Sequence, residues 1–295
     1  MLTGLSAFPI TPSDESGAVD GPALRRLLQP IVAAAADSIG LLGSTGTYMY
    51  LSRAERRRAL EIAASEVAGR LPILVGVGAL RTDEAVRLAQ DAKVAGATVG
   101  LLAPVSYTPL TDHEVYEHYA KVAGESGLPL CIYDNPATTH FRFGPELVGR
   151  LAEVPGIIAA KIPAADRSGI GAQLEMLRGV TPAGFSLGCS VDWHATEGLI
   201  AGANAWYSVA GGLLPARCAA LVRATQSGRS DEARRLDREL TPLWELFREF
   251  SSLRVCYAIA GLRGLCRDEP PRPILPLPPA ARDRIARTIE AASLA

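Results

Sequence analysis

Lysine is scarce in this chain of 295 residues: Lys93, Lys121 and Lys161 stand alone among thirty basic residues, and the rest are arginine. Where a fixed positive charge suffices, this sequence uses a guanidinium, so a lysine is informative. An amine that must lose its proton to act as a nucleophile can only be lysine. Charge of one sign is not in excess either, with 30 basic residues against 31 acidic ones. The one basic cluster, Arg56 to Arg58, reads as a helix face. That balance excludes an extended nucleic-acid or anionic-membrane surface as the organising feature. No apolar run approaches the ~20 residues of a membrane span, and Met1 to Gly4 lead into a strand-like run without signal-peptide character, so a cytoplasmic location is expected. Cysteine is sparse and odd in number: Cys131, Cys189, Cys218, Cys256 and Cys266 show no C-x-x-C spacing and read as reduced thiols. The four histidines lack the i, i+4 pairing of a helical zinc site, and no metal is expected.

What is present is alternation. Short β-branched and apolar runs fall at 5–11, 38–43, 72–77, 98–104, 129–135, 157–163, 186–190 and 205–211. Between them lie amphipathic stretches near 20–36, 52–69, 82–95, 112–126, 144–152, 168–179 and 192–201, with another at 215–227. Ser52, Thr82, Asp112 and Asp192 are N-cap candidates, with Glu55 completing a capping box after Ser52. Eight strand-helix units of this spacing predict an α/β fold, a closed (β/α)8 TIM barrel over residues 1–227. After Gly228 the period breaks, and 231–250, 252–266 and 278–292 read as a C-terminal three-helix extension, 228–295, with a proline-rich connector at 267–279.

The active site of such a barrel lies at the C-terminal ends of its strands. Lys161 closes the sixth strand inside the apolar run from Gly156 to Ala165, with no acid within four residues. A buried ammonium is costly unless it is paired or neutral, which marks Lys161 as a candidate nucleophile; the alternative is a stem that snorkels to the surface. Period-two alternation groups Ile157, Ala159 and Lys161 on one face, and Cys131, Tyr133 and Asn135 on a face of the fifth strand. If both faces point inward, Tyr133 becomes a proton shuttle beside the amine; otherwise it is a core aromatic. Gly43, Ser44, Thr45 and Gly46 end the second strand in a turn able to hold a carboxylate, or one that is simply an ordinary strand-to-helix turn. Gly188 on the seventh strand and Tyr207 on the eighth complete the candidate pocket, the glycine leaving room where no basic residue accompanies it to hold phosphate.

Gly43 to Gly46, the run Tyr133 to Pro136, and Lys161, on strands two, five and six, resemble the dihydrodipicolinate synthase and N-acetylneuraminate lyase family. The run Ala7 to Pro12 is similar to that family's first strand, and the resemblance covers essentially the whole chain. It implies a class I aldolase-type lyase. Lys161 would form a Schiff base with pyruvate or another 2-oxo acid, Ser44 and Thr45 would hold the acid's carboxylate, and Tyr133 would shuttle protons. The cofactor would be none beyond the covalent lysine imine, the partner an aldehyde, and the assembly a homotetramer built as a dimer of dimers.

Departures from the family's pattern bear on the substrate. Thr138 stands where the synthase proper carries an arginine for the second substrate's carboxylate, with Arg142 four residues on. Ser106 aligns with the family's interface tyrosine unless a one-residue shift lets Tyr107 serve. Thr47 replaces an acid, and Cys189 and Ser190 replace polar residues of strand seven. The expected substrate is therefore less anionic at its distal end than aspartate semialdehyde. The alternatives are 4-hydroxy-tetrahydrodipicolinate synthase itself, a 2-keto-3-deoxy sugar acid dehydratase, and a catalytically silent binder of oxo acids.

Overall fold

The computed structural model describes residues 2–294. Eight parallel strands close in sequence order into one barrel: β1 Gly4–Ala7, β2 Ser38–Leu41, β3 Ile73–Gly76, β4 Val99–Leu102, β5 Leu130–Tyr133, β6 Ile157–Pro163, β7 Ser186–Ser190 and β8 Ala205–Ser208. The helices in chain order are α1 Gly21–Ala33, α2 Arg53–Val67, α3 Thr82–Val94, α4 Asp112–Ser126, α5 Pro136–Thr139, α6 Pro145–Ala152, α7 Ile170–Val180, α8 Asp192–Ile200 and α9 Pro215–Gln226. Beyond them come α10 Ser230–Glu239, α11 Thr241–Phe250, α12 Ser252–Leu262 and α13 Pro279–Ala291.

The expected barrel is thus observed, but the C-terminal extension has four helices rather than three. The break falls where Thr241 and Pro242 follow Leu240. Proline cannot donate the bond that would continue α10, yet its fixed φ suits the first turn of α11.

Two apolar layers follow from the strand period. Leu74, Leu101, Cys131, Tyr133, Ala159 and Tyr207 fill the barrel interior with Phe8, whereas Ile39, Val75, Leu102, Ile132, Ile162 and Leu187 face the helices. The helical period supplies the other side of that outer layer, as in α1, where Leu24, Leu27, Leu28 and Ile31 are all buried. Simple alternation fails in one place. Leu130 pairs with Ile157 but Cys131 pairs with Ala159, so Ile158 is an extra residue in β6. That bulge turns Ile157 outward while Ala159 and Lys161 stay inward, which separates Ile157 from the face predicted for it.

Several caps also differ from the predicted ones. Ser52 does accept from the Glu55 N–H, but the Glu55 carboxylate bonds the Val19 N–H at 2.6 Å instead of closing a box. The reciprocal capping box is at Thr111 and Glu114, one residue ahead of Asp112. Thr82 lies inside α3, its hydroxyl paired with His118, and Asp192 lies inside α8 with its carboxylate turned to Trp206 and Ala210.

The extension is locked to the barrel's C-terminal end. Tyr257 of α12 is fully buried and donates to the Thr11 carbonyl beyond β1 at 3.0 Å. Arg263 donates to the Leu213 carbonyl, and Arg26 of α1 to the Leu265 carbonyl. Between α11 and α12, Ser251 adopts φ 68° and ψ 137°, a sharp redirection that starts α12 at the barrel mouth. No helix among the described residues is long and apolar enough to cross a membrane.

Candidate active site

Lys161 lies near the end of β6, in register with Tyr133 on β5 and Gly188 on β7. It is buried, at 5% exposure, and forms none of the ion pairs found among the described residues, unlike Lys121, which pairs with Glu125. Its Nζ lies 4.2 Å from the centre of the Tyr133 ring and 4.4 Å from that of Phe8. The amine is therefore held by two aromatic faces and not by an acid. The snorkelling alternative is excluded by its burial.

Around it, glycines allow close packing. A Cβ on Gly40 would stand 2.1 Å from the Phe8 ring, so only glycine at this point of β2 lets that ring lie beneath the lysine. A Cβ on Gly188 would meet the Tyr207 ring at 2.4 Å. The room left by Gly188 is thus filled by Tyr207, which is fully buried, stands edge-on to Phe8 with centres 6.0 Å apart, and reaches Cys131 at 3.7 Å. Tyr207 packs in the barrel interior and does not line the cavity over Ser44 and Asn135. Burial pushes the Cys131 thiol up to about 12, so this sulfur stays protonated and is no competing nucleophile.

The Tyr133 hydroxyl is shared by two partners. It accepts from Asn135 Nδ2 at 3.1 Å and lies 3.0 Å from Ser44 Oγ. With one lone pair engaged by the amide, its own proton is free to point at Ser44. Ser44 and Thr45 come from the turn after β2, where Leu42 at φ 56° and Thr47 at φ 54° hold a tight backbone; Gly46 faces the Leu42 backbone at 3.0 Å from its would-be Cβ, and Gly43 faces Phe8 at 2.9 Å. Two non-glycine residues in the left-handed region within six positions constitute strain of the kind that a pre-organised site retains.

A cavity of about 630 Å³ opens over Ser44 and Asn135, the two partners of the Tyr133 hydroxyl. Ser44, Thr45, Tyr48, Asn135 and Thr138 line one side, and Ser251 to Arg254 with Ile274 line the other. Tyr133 is joined to this wall by the hydrogen bonds of its hydroxyl with Ser44 and Asn135, and Lys161 lies against the Tyr133 ring. Thr138 is exposed on α5 and bonds only to the Asn135 carbonyl. Tyr107 is not brought into the group: it is 97% exposed, in the loop after β4. Arg142 is also exposed, and its charge acts on Asp134, whose carboxyl burial nonetheless raises to about 6. Among the described residues, no group of three or more His, Cys, Asp and Glu is disposed to hold a metal ion.

Three participants escaped the sequence reading. Phe8 lies just past β1 and offered only an aromatic signal. Tyr48 is buried in the cavity wall beneath Arg56, whose guanidinium stacks over its ring at 5.0 Å and donates to its carbonyl. The N-terminal end of α12 arrives from more than a hundred residues downstream of β5, and no local pattern could place it there.

A family profile described as the Dihydrodipicolinate synthetase family matches residues 1–292. A 4-hydroxy-tetrahydrodipicolinate synthase of Methylococcus capsulatus is 31% identical over 295 residues, all of both chains. Among solved structures, a dihydrodipicolinate synthase from Agrobacterium tumefaciens is 54% identical with a TM-score of 0.95 over 98% of each chain. A 4-hydroxy-tetrahydrodipicolinate synthase from Methylacidiphilum fumariolicum is 27% identical with a TM-score of 0.92, covering 100% of this chain and 97% of its own. With the barrel, the buried lysine and the strand-two turn in place, the chain belongs to the dihydrodipicolinate synthetase family, a family of class I lyases and synthases.

Proposed function

We propose that Lys161 condenses with the C2 carbonyl of pyruvate or another 2-oxo acid, and that the imine makes or breaks a carbon–carbon bond with an aldehyde, with no cofactor beyond that covalent link. The observation that carries this reading is a single buried amine between the Phe8 and Tyr133 rings, with the Tyr133 hydroxyl bonded to Ser44 at the cavity. The amine nitrogen adds to C2, and the carbonyl oxygen becomes the hydroxyl of a carbinolamine. A proton delivered through Tyr133 lets that oxygen leave as water, and the protonated imine remains. Loss of a proton from C3 then passes an electron pair toward the cationic nitrogen, and the resulting enamine carbon adds to the aldehyde. Hydrolysis releases the product and returns the amine. Ser44 and Thr45 would hold the carboxylate of the oxo acid, and the Tyr133–Ser44 pair would carry protons between the imine and the cavity.

Incubation with pyruvate and sodium borohydride tests this reading: the mass of the reduced pyruvyl group should appear on the Lys161 peptide. An unmodified Lys161 would leave a silent oxo-acid binder as the better description. Thr138 leaves the β5 side of the cavity without a cation, so the synthase activity in the curated relatives' names is a candidate for this chain and not its first reading. Efficient turnover of aspartate semialdehyde by the wild type would reverse that order.

The assembly is read as a homotetramer, a dimer of dimers. Its support is a run of exposed apolar side chains on the loops after three neighbouring strands: Met49 and Tyr50 after β2, Leu80 after β3 and Tyr107 after β4. A second copy would cover them and bring its Tyr107 toward this site. Sedimentation of wild type and Tyr107→Asp tests this: the variant should dissociate at concentrations where the wild type remains assembled. The four buried, unpaired thiols and the half-buried Cys266 fit a reducing compartment, the cytoplasm.

A further inference from the structure

We infer that Arg254, contributed by the C-terminal extension, binds a carboxylate at the end of the substrate remote from the imine, so that the second substrate is an aldehyde or oxo acid with a distal carboxylate. This deepens the lyase reading and rests on it for the location of the imine end.

Of the described residues lining the 630 Å³ cavity, Arg254 is the one that bears a charge; serines, threonines, Asn135, two tyrosines, Met49 and aliphatic side chains make up the rest. The guanidinium is half-buried and, among the described residues, has no carboxylate partner. Its one hydrogen bond is a long 3.4 Å contact to Ser251 Oγ. Other arginines of this chain use their forks on acids, as Arg53 does on Asp91 and Arg234 on Glu197. Arg254 keeps its fork free toward a cavity that contains no anion of its own.

Its direction is set by the helix. Tyr257 lies three residues on and therefore on the same face of α12, and its hydroxyl is anchored to the Thr11 carbonyl at the barrel's C-terminal end. The turn at Ser251 starts the helix at the mouth. Leu253 and Ile274 beside the guanidinium would cover the aliphatic middle of a ligand whose other end is at Ser44 and Thr45. A planar fork opposite a distal carboxylate gives bidentate, charge-assisted hydrogen bonds. The expectation of a less anionic distal end, drawn from Thr138, is thereby revised: the cation has moved from the β5 loop to the extension.

Two measurements decide the matter. The first is pyruvate condensation with succinic semialdehyde and with butanal, a neutral aldehyde of equal chain length. In Arg254→Gln the ratio of kcat/KM for the carboxylated aldehyde over the neutral one should fall by about 10–100-fold, and Arg254→Lys should recover part of it. An unchanged ratio overturns the proposal. The second needs no imine: calorimetric binding of glutarate to the Lys161→Ala protein, alone and combined with Arg254→Gln. Glutarate should bind the first and lose at least about tenfold in affinity for the second; equal binding, or none to either, overturns the proposal. If pyruvate failed to trap on wild-type Lys161, the lyase reading would fall while the glutarate measurement still judged Arg254.

Discussion

A single methyl group at position 40 would strike the Phe8 ring, and so the lysine pocket depends on a residue with no side chain. Gly40→Ala should lower thermal stability by about 1–3 kcal/mol through overpacking and slow borohydride trapping at Lys161, because Phe8 must move from beneath the amine. Gly124→Ala is the control. It lies in α4 with open space where its Cβ would go, and should stabilise by up to about 1 kcal/mol. Comparison of melting curves and trapping rates for the two variants checks the claim. At Tyr133 the hydroxyl and not the ring carries the proposed chemistry. Tyr133→Phe should keep the aromatic face over Nζ but lose about 10²–10⁴-fold in kcat, with a smaller change in KM for pyruvate. A variant as fast as wild type would remove the phenol from the mechanism.

The elements that matter most are joined by unusual junctions. Ser251 is exposed and carries φ 68° with ψ 137°, a region that glycine enters at lower cost, so Ser251→Gly should raise the unfolding free energy by about 1 kcal/mol. A lower midpoint in urea would contradict this. Loss of the Thr111 hydroxyl in Thr111→Ala should cost about 1 kcal/mol, because the Glu114 N–H at the start of α4 loses its acceptor and the Glu114 carboxylate loses one of its two donors. The β6 bulge is a third junction. Strand period alone put Ile157 and Lys161 on one face, whereas the extra residue at Ile158 resets the alternation, and the inward path of the lysine depends on the residues after it.

For the molecule as a whole, the buried acids set the pH response. Asp192 accepts from Trp206 Nε1 at 2.8 Å and from the Ala210 N–H at 3.1 Å, and burial raises its carboxyl to about 6, with these bonds and the charge of Lys161 acting the other way. The native state then holds a proton that the unfolded chain, near 4, has released. The contribution to stability is full below about pH 4 and is lost as pH rises through 6, on the order of 3 kcal/mol. Urea unfolding of wild type and Asp192→Asn from pH 4 to 7 should therefore differ by an amount that changes across that window and is constant above it. By itself, the sequence determined the barrel, the strand carrying each motif, and Lys161 as the amine to examine, because strand and helix periods and the rarity of lysine are local properties that survive without coordinates. Only the tertiary structure decided that Phe8 underlies the amine, that Tyr207 fills the space at Gly188, that Tyr107 faces outward, and that Arg254 closes the cavity from the far end of the chain. Those relations join residues tens to hundreds of positions apart, and they arise from closure of the barrel and docking of α12 on its mouth, for which no spacing in the sequence gives a sign.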